Sequence, residues 1–458
     1  MAKSIWLDGL KRIKRPPKKR RIKFNLIYLT LFLFGLFLIS FFFLGKLGAQ
    51  YLSGKIEPIS LFKDGKFLVL FQNNAEIRSS GGFIGSYAIL EINNFEIRNL
   101  IFNTNIYALD RVFAQKNFVK APAPVADMTK NQTWALRDAN YDADFQDAAQ
   151  DIVYFFQRET GDSVDGIIAL NAKVIQDLLK ISGPIKLANY HTVITADNFY
   201  NETQYKIEKE YFQNPQNWLI NEPKTFLKDL YPEILKKALE KKIALGKLVQ
   251  QELKSKEMIL FFNDPTKEKI AKKQNWAGDI PDEKELKDLF ETNLAIDYLY
   301  INSNSYSGNK SSINIEEEIA NNINYDQATG RQKVNLKITR RHQGSYIFPD
   351  GKNTTWMRIL VPEGVALLEG KIDEENITEN ISVGNEADKT FLATNLVLEP
   401  GQEQILELSY LLPDTIGPNN YHLLVQKQPG VMGQKLQINL DGKILFDGGL
   451  GTDKKISG

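Results

Sequence analysis

The chain begins with two segments of opposite polarity. Residues 1–23 carry ten basic side chains and one acidic one, and the next 22 residues, FNLIYLTLFLFGLFLISFFFLG (24–45), carry no charge. As a helix rising about 1.5 Å per residue, this run reaches roughly 33 Å, enough to cross the hydrocarbon core of a bilayer. It has no polar face, and Leu47 stands where a cleavage site needs a small residue. The pattern predicts an uncleaved signal-anchor.

A second pattern, of strands alternating with helices, begins at Lys66. Apolar runs of strand length predict strands, and apolar residues at helical spacing in residues 145–159 and 172–182 predict helices. Repeated strand–helix units indicate an α/β fold, here a mixed sheet flanked by helices. The expected strands are FLVLFQNN (67–74), FIGSYAILEI (83–92), FEIRNLIF (95–102), VDGIIALN (164–171) and IDYLYINSNS (296–305), the last of which returns to the same sheet.

Residues 192–260 interrupt this domain with a different composition. Lysine and glutamate dominate the segment, and its apolar residues recur at helical spacing. The segment therefore predicts a helical insertion of two or three amphipathic helices, which pack on the sheet and expose a charged face to solvent.

The pattern becomes all-β from about Ile313. Short apolar or alternating runs between residues 333 and 440 are separated by turn residues such as Pro349-Asp350-Gly351. Short strands at this spacing predict a sandwich-like domain, whose default role is a spacer or a binding module. The expected organisation is a basic cytoplasmic tail (1–23), a transmembrane signal-anchor (24–45), a juxtamembrane connector (46–65), an extracytoplasmic α/β domain (66–312) and a C-terminal β-sandwich-like domain (313–458).

The distribution of charge along the chain predicts on which side of a membrane each segment lies. The whole chain has a net charge of +1 and the first 23 residues contribute +9, so the remainder carries −8. Basic residues that flank an apolar span stay cytoplasmic. This rule predicts a single-pass cell-membrane protein whose chain is extracytoplasmic from Gln50 onward. The acidic remainder lacks the basic surface that nucleic acid requires, so we expect no nucleic-acid partner.

The cysteine and histidine content limits the kinds of catalytic site and metal site that the chain can form. The sequence has no cysteine, which excludes disulfides, thiolate catalysis and cysteine metal sites. Its three histidines, His191, His342 and His422, are isolated in the sequence. They show neither metal-ligand spacing nor the order of a Ser-His-Asp triad.

The first candidate site is the stretch QNNAEIRSSGGFIGSY (72–87). Glu76, Arg78, Gly81 and Gly82 follow the point where one predicted strand ends and a loop begins. Ligands bind at the carboxyl ends of strands in open α/β sheets, and successive N–H groups near a glycine pair can form an anion-binding nest. An alternative remains open, in which Arg78 pairs with Glu76 and the glycines only relieve crowding in a tight turn.

The second candidate site is the stretch WALRDANYDADF (134–145). Only nine arginines follow the apolar run, and two of them, Arg78 and Arg137, fall in these two stretches. Arginine presents a planar fork that suits phosphate. The neighbouring carboxylates of Asp138 and Asp142 offer the oxygen ligands that Mg²⁺ prefers. The alternative here is a structural ion pair between Arg137 and one of these aspartates.

These motifs together resemble an uncharacterised family. FLVLFQNNAEIRSSGGFIGSY, WALRDANYDADF and VDGIIALNAKVIQDLLKISGPIKL, followed by IDYLYINSNSYSGNKSS, TWMRILVPEG and YHLLVQKQPG, are similar to a bacterial family of membrane-anchored extracytoplasmic proteins. That family is catalogued as a domain of unknown function. The resemblance covers most of residues 66–430 and supplies no function by itself.

The chain has a more distant resemblance to the LytR-CpsA-Psr glycopolymer phosphotransferases. Members share the membrane topology, an arginine before the second strand, an Arg-Asp pair after a later strand, and a strand–helix unit that ends in paired glycines. Arg78, Arg137-Asp138 and VDGIIALNAKVIQDLLKISGPIKL are similar to these features, with Gly183-Pro184 in place of the glycines. The resemblance implies that Arg78 and Arg137 grip a polyprenyl-linked pyrophosphate and that Asp138 binds Mg²⁺.

One feature of the phosphotransferase family is missing. Its members have a further arginine cluster after the glycine motif, whereas residues 192–215 contain no arginine. Lys310 is the substitute, and it offers only a point charge. The resulting assignment is Arg78, Arg137 and Asp138 as catalytic residues, Glu76, Gly81, Gly82, Asn140 and Lys310 as substrate-binding residues, and Asp138 and Asp142 as metal ligands.

Two functions from different classes follow from these features. The first is an Mg²⁺-dependent phosphotransferase of the cell envelope, which moves a glycan phosphate from a polyprenyl-pyrophosphate carrier to a wall or protein acceptor. The second is a non-enzymatic envelope scaffold or surface-binding protein that keeps the fold without catalysis. A deep apolar groove beside Arg78 and Arg137 would favour the first function, and arginines saturated by salt bridges would favour the second.

Overall fold

The computed structural model describes residues 60–220 and 223–458. The basic tail, the signal-anchor and most of the connector lie outside the described residues. No helix within those two ranges combines the length and the apolarity that a membrane crossing needs.

Helices are concentrated in the first part of the described chain, and strands dominate the second part. The helices are α1 (Ile106–Ala114), α2 (Ala123–Thr129), α3 (Phe145–Thr160), α4 (Ala172–Ser182), α5 (Phe199–Tyr205), α6 (Tyr211–Gln213), α7 (Pro215–Ile220), α8 (Thr225–Glu240), α9 (Lys242–Lys254), α10 (Pro265–Lys273) and α11 (Glu283–Phe290). The strands are β1 (Gly65–Arg78), β2 (Gly81–Asn93), β3 (Glu96–Asn103), β4 (Gly166–Asn171), β5 (Ile185–Leu187), β6 (Thr192–Ile194), β7 (Met258–Phe262), β8 (Asp297–Ser305), β9 (Ile315–Asp326), β10 (Arg331–His342), β11 (Asn353–Pro362), β12 (Ala366–Ile372), β13 (Glu375–Asn376), β14 (Ser382–Glu386), β15 (Lys389–Leu398), β16 (Glu403–Leu411), β17 (His422–Gln426), β18 (Lys435–Leu440), β19 (Lys443–Gly449) and β20 (Lys454–Ser457).

Five strands form the sheet of the α/β part, in the order β3-β2-β1-β4-β7. β1 pairs in parallel with β4, whereas the β1–β2, β2–β3 and β4–β7 pairs are antiparallel. Helices lie against this sheet, so the prediction of a mixed sheet flanked by helices is confirmed.

Both faces of this sheet are covered, which explains the continuous apolar run at its centre. Side chains alternate along β1, so that Phe67 and Val69 point to one face and Leu68 and Leu70 point to the other. Helices α4, α8 and α9 pack on the first face, and helices α1 and α3 pack on the second. A strand that is buried on both sides needs no polar face.

The predicted end of α4 is confirmed. The helix stops at Gly183, whose φ of 78° places it in a conformation that glycine adopts without steric cost. Its N–H donates to the Leu179 carbonyl at 2.8 Å, which satisfies one of the last carbonyls of the helix.

Two larger sheets share one apolar core in the C-terminal part, which is strand-rich as predicted. The seven-stranded sheet has the order β13-β12-β16-β10-β9-β18-β19, and the six-stranded sheet has the order β14-β15-β11-β8-β17-β20. Leu299 and Ile359 of the six-stranded sheet meet Ile338 and Leu408 of the seven-stranded sheet in one buried cluster. Two sheets that pack face to face in this way form a sandwich.

The position of β8 corrects one expectation. The sequence pattern predicts that residues 296–305 return to the α/β sheet, but β8 lies in the six-stranded sheet between β11 and β17. Its side chains Leu299 and Ile301 belong to the core of the strand-rich part. A strand-length apolar run identifies a strand, but the neighbours of that strand are set by packing with distant segments.

A buried polar seam, formed by Arg78, Ser79, Asn302, Asn304 and Gln428, joins the two parts of the fold. The Ser79 N–H donates to Asn304 Oδ1 at 2.8 Å, and the Ser79 carbonyl accepts from Asn302 Nδ2 at 2.9 Å. Gln428 Nε2 donates to the Arg78 carbonyl at 2.8 Å. All five residues are buried. Each hydrogen bond therefore matters, because an unsatisfied buried polar group costs about 1–3 kcal/mol.

We predict that the strand-rich part needs β8 in order to fold. A fragment of residues 313–458 lacks the strand between β11 and β17, whereas a fragment of residues 295–458 contains it. Thermal unfolding followed by circular dichroism should show one cooperative transition for the longer fragment and no sharp transition for the shorter one. Cooperative unfolding of both fragments at the same midpoint would contradict a central role for β8.

Candidate functional site

Arg78 lies buried at the end of β1 and is held by the protein itself. Its Nη2 lies 3.1 Å from Glu76 Oε1 and 3.4 Å from Asp138 Oδ1, and its Nη1 donates to the Ser305 carbonyl. The guanidinium carbon also lies 4.1 Å from the centre of the Tyr306 ring. These contacts neutralise the charge inside the protein and remove the guanidinium fork from solvent.

Arg137 reaches the same carboxylate from the solvent side. Its Nε lies 3.3 Å from Asp138 Oδ2 and its Nη1 lies 3.4 Å from Asp110 Oδ2, while a quarter of the side chain stays exposed. The structure thus brings Arg78 and Arg137 together, as the resemblance implies. The anion between them is a carboxylate of the chain, Asp138.

Two further carboxyl groups, those of Asp110 and Glu159, belong to the same cluster as Arg137. Burial raises the pKa of Asp110 to about 8, and the neighbouring Glu159 adds to the rise while Arg137 opposes it. Burial also raises the pKa of Glu159. Two interacting carboxyl groups of this kind share a proton at neutral pH, so the surroundings of Arg137 carry less negative charge than the residue types suggest.

The glycine pair is required by close packing within the β1–β2 strand pair. A Cβ on Gly81, which has a φ of 134°, would lie 2.3 Å from Gln72 Oε1, and a Cβ on Gly82 would lie 2.1 Å from the β1 backbone. The Gly82 N–H donates to Asn171 Oδ1 at 3.0 Å, and the Gly82 carbonyl accepts from Asn140 Nδ2 at 2.9 Å. The backbone groups of Gly82 are therefore already occupied by structural partners.

The surroundings of Asp138 do not fit the Mg²⁺ site that the resemblance implies. Each Asp138 oxygen faces a guanidinium nitrogen, of Arg78 or of Arg137. Asp142 has other neighbours: burial raises its pKa to about 7, and the Glu386 carboxylate adds to the rise. Among the residues that the structure describes, no group of three His, Cys, Asp or Glu side chains could hold a metal ion.

Lys310 meets Glu76 on the side opposite Arg78. Its Nζ lies 2.6 Å from Glu76 Oε2 and 3.9 Å from Glu208 Oε1. Although burial opposes ionisation, the charges of Arg78 and Lys310 hold the pKa of Glu76 below its usual value. Glu76 is thus the shared counter-ion of two cations, and a carboxylate with a lowered pKa is a poor general base.

Two cavities lie side by side on the face of the sheet that α4 and α8 cover. The first, which we name the apolar chamber, measures about 50 Å³ and is lined by side chains of the sheet, α4, α8 and α9. The second, which we name the polar chamber, measures about 120 Å³, and its polar lining includes Gln72, Tyr200, Thr203, Glu208, Lys224 and Lys310. Both chambers are lined by Phe71, Leu170, Ile175 and Tyr231, which form a common wall.

Several buried polar groups of the polar chamber lack a partner. Neither the amide nitrogen nor the amide oxygen of Gln72 has a hydrogen-bond partner among the described residues, and the hydroxyls of Tyr200 and Thr203 have none there either. The chamber lies where β4 ends and α4 begins, and Asn171 and Ala172 contribute to its wall. Unpartnered buried polar groups are rare in native proteins, and a bound water, ion or ligand commonly explains them.

Lys224, which is half-buried, supplies the polar chamber with a cation. Its Nζ donates to the Gly85 carbonyl and lies 5.6 Å from the centre of the Tyr107 ring. Within the described ranges, no carboxylate oxygen lies within 4.0 Å of it. Burial, together with the nearby charge of Lys310, lowers the pKa of Lys224 to about 8. The carboxylates of Glu208 and Glu76 oppose this shift from beyond contact distance, so an anionic ligand in contact with Lys224 Nζ would stabilise the ammonium further.

The lining of the apolar chamber contains one carboxyl group, and that group is largely neutral at physiological pH. Glu252 is fully buried in the chamber wall, with Lys173 Nζ 4.0 Å from its Oε1. Burial raises the pKa of Glu252 to about 8, Lys173 opposes the rise, and the Asp177 carboxylate adds to it. The apolar chamber therefore carries little charge near neutral pH.

Lys224, Tyr200 and Thr203 carry no signal of a site in the sequence. All three lie in the Lys- and Glu-rich insertion, where the composition predicts a solvated helix face. Gln72 lies inside the first candidate stretch but is not among its predicted site residues. Two aromatic-rich segments, FYNETQY of α5 and TFLKDLY of α8, are the signal that these helices bury one face.

Part of the chain matches a known family. Residues 63–207 match the family described as "Protein of unknown function (DUF4012)". The matched residues run from β1 to α5 and include both candidate stretches and the β4–α4 unit. The match supports the resemblance to an uncharacterised family. No curated protein matches the sequence.

Two solved structures from Legionella pneumophila match short parts of the fold. One, from strain Philadelphia 1, is described as a nutrient-binding protein; it is 11% identical, covers 28% of this chain and 51% of its own, and has a TM-score of 0.21. The other is aminopeptidase A in complex with aspartic acid, 9% identical, with 28% of this chain and 16% of its own covered and a TM-score of 0.17. The chain spans about half the length of the first structure and about a sixth of the second.

We predict that Arg78 is needed for stability. Arg78→Lys keeps a positive charge but loses the fork that contacts Glu76, Asp138 and the Ser305 carbonyl. Partners left unsatisfied in the interior cost about 1–3 kcal/mol each, so the melting temperature of the full chain should fall by several degrees.

Arg98→Lys is the matched control for this measurement, because Arg98 pairs with Glu96 on the surface and both side chains are 57% exposed. An exposed pair contributes little to stability, so this variant should melt with the wild type. If the Arg78 and Arg98 variants melt at the same temperature, the structural role of Arg78 is wrong.

Replacing Glu252 by glutamine should raise stability, and most strongly at high pH. Folding raises the pKa of the Glu252 carboxyl from 4.5 to about 8, so between these pH values the folded chain binds a proton that the unfolded chain does not. The free energy of unfolding therefore falls as the pH rises from 4.5 to about 8. Glutamine keeps the shape of the side chain but cannot ionise. Melting temperatures of variant and wild type should coincide near pH 4.5 and diverge up to about pH 8. A difference that does not grow with pH would contradict the raised pKa.

Proposed function

We propose that the protein binds an extended amphiphile, with its apolar tail in the apolar chamber and its phosphate head beside Lys224 in the polar chamber. One observation carries the proposal: a cavity with almost no charge shares a wall with a cavity that holds a half-buried cation, Lys224, whose Nζ contacts no carboxylate among the described residues. A soluble anion would use only the polar chamber, and a neutral lipid would use only the apolar one. A lipid phosphate uses both.

The polar chamber offers several groups to a phosphate head. The Lys224 ammonium supplies charge, and the Gln72 amide and the hydroxyls of Tyr200 and Thr203 supply further donors. Hydrogen bonds from charged donors to phosphate are roughly twice as strong as neutral ones. The N-terminus of α4 lies at the same wall and adds a partial positive charge.

The lining of the apolar chamber suits an isoprenoid tail, and α4 and α8 must move apart to admit more than a short part of one, because the cavity measures about 50 Å³. Aromatic side chains of Phe71, Phe102 and Tyr231 and aliphatic side chains of α4 line it, and Glu252 stays protonated at neutral pH. Each Å² of apolar surface removed from water contributes roughly 25 cal/mol. A polyprenyl-phosphate-linked glycan, the class implied by the resemblance to glycopolymer phosphotransferases, has such a tail and such a head. A membrane anchor at residues 24–45 would hold the chambers close to this lipid, at the extracytoplasmic face of the cell membrane.

Phosphotransfer to a wall or protein acceptor is a second candidate function, and the same resemblance supports it. That reaction would use Arg78 and Arg137 on the pyrophosphate. Both arginines are tied to Asp138, which favours a binding protein of the cell envelope over an enzyme. Arg137 keeps a quarter of its side chain exposed, so it is the arginine that a substrate would reach first.

Ligands that share only the head or only the tail can test the proposal. Polyprenyl phosphate should raise the melting temperature of the full chain in detergent more than polyprenol or inorganic pyrophosphate does at equal concentration. Lys224→Gln should weaken polyprenyl phosphate binding by about tenfold, the loss of one charge-assisted contact, and should leave polyprenol binding unchanged. Binding of polyprenyl phosphate should also weaken as pH rises through about 8, because Lys224 loses its proton.

Lys236→Gln is the control, since Lys236 lies on the exposed face of α8, the helix that begins directly after Lys224. It removes the same charge and should leave all three affinities unchanged. Equal loss in the two variants would mean that Lys224 acts only through net charge. Pyrophosphate binding as tight as that of polyprenyl phosphate would rule out a role for the apolar chamber.

A further inference from the structure

Three consecutive exposed apolar side chains project from the loop between β10 and β11. Tyr346, Ile347 and Phe348 are 69%, 77% and 43% exposed. Among the residues that the structure describes, no other run of three large apolar residues is exposed. We name residues 345–348 the tip loop. A contiguous apolar patch on a surface marks a place where a partner binds.

Hydrogen bonds hold the tip loop in place. Asp350 Oδ2 accepts from the Ser345 N–H at 2.6 Å, and the Ile347 carbonyl accepts from the Asp350 N–H at 3.1 Å. Behind the loop, the Pro349 carbonyl accepts from the Lys310 N–H at 2.8 Å. The backbone thus presents the apolar side chains outward, and a segment that is already ordered loses little entropy when it binds.

The tip loop lies at the mouth of the polar chamber. An open cleft is lined by Ile347 and Phe348 from the loop and by Tyr200, Gln204 and Lys310. The last three residues also line the polar chamber. Whatever surface the tip loop contacts is therefore brought next to the chamber that holds Lys224.

The composition around the tip loop matches a membrane interface. Lys209 Nζ lies 4.6 Å from the centre of the Phe348 ring, and Lys352 keeps 52% of its side chain exposed nearby. The Tyr346 hydroxyl donates to Glu399 at 2.5 Å. Aliphatic and phenyl side chains enter the acyl region, tyrosine rings stay at the level of the headgroups, and lysines meet lipid phosphates.

We propose that the tip loop inserts into the extracytoplasmic leaflet of the membrane that holds the anchor. The insertion follows from the loop itself, and only its purpose, delivery of lipid to the chambers, rests on the proposed function. The length of the connector permits this insertion. Residues 46–59 would span up to about 50 Å when extended, and the 14 residues of β1 separate the connector from the tip-loop end by about 46 Å.

The absence of cysteine allows a fluorophore to be placed at one site in the full chain. Ser345→Cys puts an environment-sensitive label beside the apolar apex without removing an apolar side chain. Val383→Cys in β14 and Ile444→Cys in β19 are controls at edge strands, with native side chains 57% and 56% exposed. Each labelled chain is reconstituted into phospholipid vesicles that contain a nitroxide-labelled lipid.

We expect lipid nitroxides to quench the label at position 345 several-fold more than either control label, and aqueous acrylamide to quench it less. Adding Ile347→Asp should abolish the lipid quenching at position 345. A label at 345 that behaves like the controls would overturn the proposal, and so would lipid quenching that Ile347→Asp leaves unchanged. Polyprenyl phosphate binding in detergent needs no bilayer, so a failure here is distinguishable from a failure of the proposed function.

Discussion

The polar seam is the interaction on which the arrangement of the protein depends. Both backbone groups of Ser79, at the end of β1, are bonded by side chains of β8, from Asn302 and Asn304. Gln428 ties the Arg78 carbonyl to the Ser303 carbonyl. Because a buried polar group without a partner costs more than a hydrogen bond gains, the α/β sheet and the strand-rich part cannot shift without a large loss of stability.

The polar seam also determines which cations remain available to bind a ligand. It holds Arg78 against Glu76 and Asp138, and Asp138 in turn takes up Arg137. The positive charges that the sequence marks as a phosphate clamp are therefore neutralised within the chain. Lys224 lies beside β2, where its Nζ donates to the Gly85 carbonyl and lies 5.6 Å from the centre of the Tyr107 ring. The cation that favours an anionic ligand is thus a lysine from the helical insertion.

Local structure was predictable where one residue or one short run determines it. The continuous apolar run FLVLF predicts a central strand because both faces of β1 are buried, and Gly183 predicts the end of α4 because it needs a positive φ. The sheet that contains β8 was not predictable, since its apolar run fits either sheet. The position of Lys224 beside the polar chamber was not predictable either, because that position depends on how α8 packs on the sheet.

The site was predictable only in part, for a related reason. The adjacent positions of Arg137 and Asp138, with Arg78 in a distant loop, allowed the prediction that the two arginines converge. Sequence spacing does not distinguish an arginine that binds a ligand from one that binds a carboxylate of the chain, because both need the same geometry. Ten of the named strands and helices contribute side chains to the two chambers, and no local pattern encodes such a cavity.

An experimental structure of the full chain with bound polyprenyl phosphate tests the central claim most directly. We expect the phosphate within hydrogen-bond distance of Lys224 Nζ and the isoprenoid tail between α4 and α8, in contact with Phe71 and Tyr231. A phosphate held by Arg137 with Lys224 free, or a tail that lies outside the apolar chamber, would contradict the claim.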